Sequence, residues 1–221
     1  MTDETKIGTP QDPSRRDALK GLAGTTAMGA MGMLGARTAG AAILHAPSQP
    51  IFTMQQVCYV VDDLDAALKF WTEELKVGPF FMFEHLQLDN QKYRGKSAED
   101  ADVTIALGNT GAVQIELAYQ HNDAPSVWKK EWSEAGRRGV HHFGFIPEDY
   151  QANFQHFVDQ GYEPAFECTI GNSPLCYFDF VDTLGHYIEF WENSELYRNI
   201  FKATEEAARG WDGMNPVRPW V

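Results

Sequence analysis

The stretch QVCYVVDDLDAALKFW, Gln56–Trp71, decides how the chain is read, because it recurs. HFGFIPEDYQANFQHF, His142–Phe157, lies 86 residues downstream and has the same build. Each opens with five residues of strand character and continues with an acidic pair, Asp62-Asp63 or Glu148-Asp149. Each then places apolar residues at helical spacing: Leu64, Ala67, Leu68 and Trp71 in one, Tyr150, Phe154 and Phe157 in the other. Asp63 and Asp149 are natural N-caps, since a carboxylate there accepts from an otherwise unpaired amide of the first turn. Similarity at a fixed offset marks an internal repeat.

The units also end alike. AVQIELAY (Ala112–Tyr119) closes the first and GHYIEFWE (Gly185–Glu192) closes the second. Candidate strands lie between: Val77–Glu84 and Asp102–Leu107, then Pro164–Ile170 and Leu175–Val181. The fold class expected is α+β, with two βαβββ modules at 51–119 and 140–192. A connector, 120–139, carries VWKKEWSEAG as a short helix. A polar insert, His85–Asp100, interrupts the first module and could fold over it as a lid, with His85 near the substrate. Residues 193–221 hold a helix, Ser194–Arg209, read as a docking element, and a tail without an assignment.

Strand alternation sorts these residues into faces. Val57, Tyr59 and Val61, Val113, Ile115 and Leu117, Phe143 and Phe145, and Ile188 and Phe190 form apolar faces that must pack under the helices. The opposite faces hold Gln56, Cys58 and Val60; Gln114, Glu116 and Ala118; His142, Gly144 and Ile146; Tyr187, Glu189 and Trp191. Four strands thus bring one amide or ionisable group each to a common face: Gln56, Glu116, His142 and Glu189. Antiparallel sheets often wet one face, so polar residues there can be ordinary. Tyr187, Trp191 and Ile146 on the same face suggest a lined cavity instead. The residues alone leave both readings open. His141, by parity, points the other way and reads as a satisfied structural histidine.

Composition narrows the function classes. The formal net charge of −13 argues against nucleic acid or an anionic membrane surface as the main partner, because phosphates would be repelled. With 43% hydrophobic and 13% aromatic residues the chain can bury a sizeable core. Cys58, Cys168 and Cys176 are too few for a disulfide framework. Cys168 and Cys176 flank a turn-like GNSP, but bridge geometry is demanding and free thiols are expected.

At the N-terminus, Arg15 and Arg16 precede a Gly/Ala/Met-rich run from about Gly21 to Leu34, followed by Arg37 and AGAA, Ala39–Ala42. This resembles a bacterial twin-arginine export signal. Ser14–Arg16, Leu19 and Lys20 match the pattern, and Ala18 departs from it where Phe is preferred. A retained anchor is the alternative, but the run is shorter than the ~20 apolar residues a span needs. The resemblance implies a signal over residues 1–41, cleavage near Ala41, a periplasmic product, and contact with a membrane only during export.

The two-unit layout, strand openings of the form His/Gln-apolar-small-apolar, and closing strands of the form apolar-Glu-apolar resemble the vicinal oxygen chelate superfamily. DTLGHYIEFWE (Asp182–Glu192) is the most specific piece, supported by HHFGF and by GPFF, which resembles the epimerase-like branch. The superfamily includes glyoxalase I, methylmalonyl-CoA epimerase, extradiol dioxygenases and bleomycin-resistance proteins. The resemblance covers about Ile51 to Glu192. It implies curled mixed sheets forming a cup around one divalent metal, with ligands at Gln56, Glu116, His142 and Glu189. Gln56 stands where many relatives have a metal-binding histidine.

Three oxygen ligands and one imidazole suit a harder, octahedral ion such as Zn²⁺, Mn²⁺, Ni²⁺, Co²⁺ or Mg²⁺. Such an ion can hold a substrate carbonyl while a neighbouring carboxylate takes a proton. The resemblance to glyoxalase I makes Glu189 the first choice of base and Glu116 the second. The implied function is an isomerase or lyase acting by proton abstraction next to a carbonyl. An iron(II) extradiol dioxygenase calls for two histidines and one carboxylate, which Gln56 and the extra Glu116 do not match. A metal-free binding protein of bleomycin-resistance type is the other alternative, although all four ligand positions carry groups able to bind metal. Tyr187, Trp191, Phe81 and Cys58 are the candidate substrate-contacting residues, and point to a small apolar or aromatic molecule. Phe81, within Phe80–Phe83, and Cys58, opposite Gly144 in the repeat, read equally well as core. Members of the superfamily complete their cups within one chain or as homodimers, and either is open here.

Overall fold

A computed structural model describes residues 54–220. The segment read as an export signal, its expected cleavage near Ala41 and the expected start of the first module at Ile51 lie outside the described residues. Among the described residues no helix is long and apolar enough to cross a membrane.

The first module runs β1 (Met54–Val60), α1 (Leu64–Lys69), β2 (Phe80–Leu86), then a hairpin of β3 (Asp89–Tyr93) and β4 (Lys96–Ser97), then β5 (Val103–Thr110) and β6 (Val113–Gln120). The second runs β7 (Val140–Phe145), α2 (Tyr150–Asp159), β8 (Pro164–Ile170), β9 (Ser173–Phe180), a one-turn α3 (Val181–Leu184) and β10 (His186–Trp191). A longer helix, α4 (Glu195–Ala208), and a short β11 (Val217–Pro219) follow. The connector contains a π-helical turn at Lys129–Ser133 where a short helix was expected.

The repeat is visible in three dimensions. Asp63 Oδ1 accepts the Ala66 N–H at 2.9 Å, and Asp149 Oδ1 accepts the Ala152 N–H at 2.9 Å, so both helices start on the same capping device. The strands form one mixed sheet in the order β11-β2-β5-β6-β1-β7-β10-β9-β8-β3-β4, with β1 and β7 antiparallel at its centre. The expected α+β class with curled mixed sheets is what the chain adopts.

The curl follows from chain length. β2 and β3 lie near opposite ends of that order, yet only Gln87 and Leu88 separate them. A link of that length spans at most about 11 Å, so the two ends of the sheet must nearly meet. The insert is therefore a hairpin on the edge of β8, pairing Tyr93 with Phe166. Arg94, at its turn, and Tyr93 donate to Glu131 of the connector, and Arg94 also reaches Asp179. The insert thus straps the first module to the second.

Three apolar clusters result. Leu68 of α1 packs with Phe80, Ile115 and Leu117 of the sheet, and Phe157 of α2 packs with Phe178, Ile188 and Phe190. Burying each such side chain contributes roughly 1.5–3 kcal/mol. The third cluster, with Cys58, Trp128, Phe166, Tyr187 and Trp191, fills part of the cup interior. Cys58, Cys168 and Cys176 are free and buried.

Candidate functional site

The candidate ligands stand on the four central strands. β1 pairs with β6 in parallel, so Gln56 lies beside Gln114 and Cys58 beside Glu116. β7 pairs with β10 in parallel, so Glu189 lies beside Gly144 and Tyr187 beside His142. Gln56, Glu116, His142 and Glu189 are all buried. His142 Nε2 is 3.0 Å from Gln56 Oε1 and 2.9 Å from Glu189 Oε2. Gln56 and His142 are equivalent positions of the repeat, and they touch. Glu116 stands one step aside, with Oε1 3.4 Å from Cys58 Sγ.

Two hydrogen-bond chains fix which atoms face the centre. On one side, His141 Nε2 is 3.1 Å from the Val127 carbonyl, which can only accept. The His141 proton therefore sits on Nε2, and its Nδ1 accepts. His142 Nδ1, 2.9 Å away, must donate to it, which leaves His142 Nε2 with a bare lone pair. Burial holds both rings neutral, pushing His141 well below the ordinary histidine range and His142 down to about 4, the latter partly offset by the charge of Glu116. On the other side, Gln56 Nε2 donates to Gln114 Oε1 at 2.7 Å, and Gln114 Nε2 donates to Thr204 Oγ1 at 2.8 Å. Thr204 in turn donates to the Ile200 carbonyl at 3.1 Å, one turn back in α4. This turns Gln56 Oε1 toward His142.

Three acceptors therefore converge without a proton among them: Gln56 Oε1, His142 Nε2 and Glu189 Oε2. Glu189 Oε2 is buried and has no hydrogen-bond partner, despite its 2.9 Å approach to His142. Such an arrangement is repulsive unless a cation occupies it. Separations of 2.9 and 3.0 Å match the edge of an octahedral shell with metal–ligand distances of about 2.1 Å. The residues present fit a divalent metal. Without one, a proton is the substitute: burial pushes Glu189 up to about 8, and pushes Glu116 up to about 7, where attraction from His142 and repulsion from Glu189 act in opposite senses.

His141 corrects the parity argument. The register moves from Cys58↔His142 to Tyr59↔Val140, so β7 carries one extra residue there. This bulge brings the His141 ring to the side of His142 rather than the opposite face. Its role as a hydrogen-bonded structural histidine agrees with the expectation; its direction does not.

Beside these groups lies a cavity of about 260 Å³, bounded by Gln56, Gln114, Glu116, Tyr177 and Glu189 on its polar side. Elsewhere its wall is aliphatic and aromatic, including Phe83, Leu86, Ile105, Cys168 and Trp191. Of the expected substrate contacts only Trp191 is on this wall. Phe81 shares the face of Phe83 but lies farther along β2, against Trp220 and Arg218. Tyr187 is buried deeper and donates from its hydroxyl to Glu131 at 2.6 Å. Cys58 is covered by its contact with Glu116.

The lid differs as well. The start of the His85–Asp100 insert supplies Leu86 and Leu88 to the wall, but most of the cover comes from α4 and the tail: Leu196, Tyr197, Ile200, Phe201 and Trp220 all face the cavity. The apolar residues of α4 were legible as a docking face; that they dock onto the mouth of the cup was not. Gln114 and Thr204 were missed as site residues. Parity had placed Gln114 on the polar face, but nothing in the sequence pairs it with Thr204, 90 residues away. Tyr177, opposite Glu189 in the β9–β10 ladder, was also missed.

Among solved structures, methylmalonyl-CoA epimerase from Mycobacterium tuberculosis is 20% identical, with 69% of this chain and 95% of that chain covered and a TM-score of 0.49. A hypothetical protein from Bacillus halodurans C-125 is 17% identical, with 65% and 95% covered and a TM-score of 0.46. A Streptomyces coelicolor methylmalonyl-CoA epimerase in complex with 2-nitronate-propionyl-CoA is 18% identical, with 66% and 96% covered and a TM-score of 0.42. Likeness at this level carries nothing about activity or substrate. No curated protein matches the chain. A family model matches residues 55–177, more than half of the chain, and on that match the protein belongs to the Glyoxalase/Bleomycin resistance protein/Dioxygenase superfamily.

Proposed function

We propose that this protein is a divalent-metal-dependent isomerase or lyase that removes a proton next to a carbonyl in a small apolar or aromatic substrate. The observation that supports it is the convergence of Gln56 Oε1, His142 Nε2 and the orphaned Glu189 Oε2. A cation bound there supplies Lewis acidity to a carbonyl oxygen. The residues divide the remaining work. Gln56 and His142 hold position through the two hydrogen-bond chains. The apolar wall excludes water and selects an uncharged substrate body. Glu116 lines the cavity but stands outside the three converging acceptors, with the Cys58 thiol and Gln56 as its side-chain hydrogen-bond partners, so it is better placed than Glu189 to accept the proton from carbon. This reverses the order of preference drawn from glyoxalase I. Return of that proton to carbon gives isomerisation or epimerisation; loss of a leaving group gives elimination.

The test uses the full chain purified without chelators. About one equivalent of metal should resist dialysis and be lost in Glu189→Gln and in His142→Gln. Aryl and alkyl carbonyl compounds should exchange the adjacent C–H for deuterium in D₂O, and Glu116→Gln should abolish exchange while keeping the metal. A chain that neither retains nor takes up Zn²⁺, Mn²⁺, Ni²⁺, Co²⁺ or Mg²⁺ refutes the reading. The covered, largely apolar cavity favours a metal-free binding protein as the second reading; it gains if the metal-free chain takes up an aromatic ligand and Glu189→Gln leaves that uptake unchanged. The Arg15-Arg16 pair supports export of the folded protein by the twin-arginine route, and replacing both with Lys should retain the chain in the cytoplasm.

A further inference from the structure

Outside the cup, His85, Asp102 and His121 come together where β2, β5 and the end of β6 meet, and one ligand atom from each lies within 4.8 Å of the other two. An extra residue in β2 produces the meeting. Between Phe83↔Ile105 and Leu86↔Val103 the ladder loses register, and His85 adopts a φ of +47°. Few side chains occupy that region, although histidine does so more readily than most. His85 Nδ1 then lies 2.7 and 3.0 Å from the two oxygens of Asp102. The His85 and His121 rings stack at 4.4 Å. Thr104 of β5 ties both residues: its hydroxyl oxygen accepts the backbone N–H of His85 at 3.1 Å and lies 2.7 Å from His121 Nε2. Asp102 is held by its own backbone: its N–H donates to Asn122 Oδ1 at 3.1 Å, and its carbonyl accepts the His121 N–H at 2.8 Å.

We propose that this cluster is a second metal site, at the rim of the cup, for a divalent transition ion of the zinc class. Two imidazoles and a carboxylate make three protein ligands, the set that leaves a coordination position open to solvent or to an exogenous ligand. Thr104 plays toward the His121 ring the orienting part that outer hydrogen bonds play around metal-bound histidines, and Asn122 fixes the backbone of Asp102. Two imidazolium rings would repel at the observed stacking distance, so the pair is suited to sharing one external cation. Leu86, the residue after His85, lines the cavity, so the site sits beside the chamber mouth without belonging to the interior set.

The test titrates Zn²⁺ into the untagged, metal-stripped full chain against a chromogenic chelator, in the Glu189→Gln background, which silences the interior. One equivalent should bind, and His85→Ala, His121→Ala or Asp102→Asn should each weaken it by about tenfold or more. Equal zinc affinity in Glu189→Gln with and without the two histidine substitutions overturns the proposal, as does a Glu189→Gln chain that takes up no zinc. Should Glu189→Gln fail to fold, the comparison is made in the wild-type background: the His85→Ala/His121→Ala chain takes up one equivalent fewer, and equal stoichiometries overturn it.

Discussion

His141 Nδ1 lies 2.9 Å from His142 Nδ1, and a single proton joins them. The Val127 carbonyl decides its owner by holding the other nitrogen of His141. Substituting Phe for His141 keeps a ring among Trp132, Tyr177 and Tyr187 but removes the acceptor. His142 is then free to carry its proton on Nε2, in competition with metal. Metal affinity should fall about 10- to 100-fold, and the ¹⁵N shifts of His142 should report a mixture of tautomers. Unchanged affinity and an unchanged tautomer would show that His141 only fills space.

Thr204 ends the opposite chain. In Thr204→Val the volume is kept, but the Gln114 amide loses its buried acceptor. A buried donor without a partner costs about 1–3 kcal/mol, and each kcal/mol lowers Tm by about 2–4 °C in a chain of this size. Thermal unfolding of the metal-free protein measures it. The amide of Gln56 also loses its orientation, so metal affinity should drop as well. A Tm within one degree of wild type and undiminished affinity would remove Thr204 from the site.

These two chains mark where reading the sequence stops. The repeat was legible because capping and helical spacing are local: Asp63 and Asp149 cap α1 and α2 as their positions require. The polar side chains of the inner face were legible because alternation is local too. Alternation failed at His141, since one extra residue in β7 reverses the parity of everything before it, and no residue type announces such a bulge. It was also blind to α4, whose amphipathic face says that it docks but not where. The insert was read as a lid, whereas a two-residue link fixes its hairpin to the far edge of the sheet and leaves Leu86 and Leu88 on the cavity wall. Contacts of that kind are set by chain closure, which no window of residues displays.

The strap at Glu131 should make the fold acid-sensitive. Burial works to raise the Glu131 carboxyl, but hydrogen bonds from Arg94, Tyr187 and Tyr93 outweigh it and hold the group below its ordinary value of 4.5. A carboxyl whose pKa is depressed on folding adds stability above its unfolded value and loses it as pH falls through the folded one. Stability should therefore decline below about pH 4.5, and Glu131→Gln should flatten that part of the curve. The substitution should also cost about 1–3 kcal/mol near neutrality. Urea unfolding at pH 4 and 7 separates the two; equal losses at both would place the acid sensitivity elsewhere.

Gly144 offers a test of the cavity wall that touches no polar group. It faces Trp191 across the parallel pairing of β7 and β10, and a Cβ built on it would fall 1.9 Å from the indole Cη2. Its φ is not in the left-handed region, so space alone demands glycine. In Gly144→Ala the indole must move, and the cavity lies on its free side. Overpacking of this kind costs about 1–3 kcal/mol, so Tm should fall while metal content stays at the wild-type level. Affinity for an aromatic ligand should fall further than Tm alone accounts for, because the displaced ring occupies the ligand's volume. Trp191→Phe added to Gly144→Ala removes the overlap and should restore both. A double variant that recovers stability without recovering binding would mean that Trp191 itself contacts the ligand, rather than merely bounding its chamber.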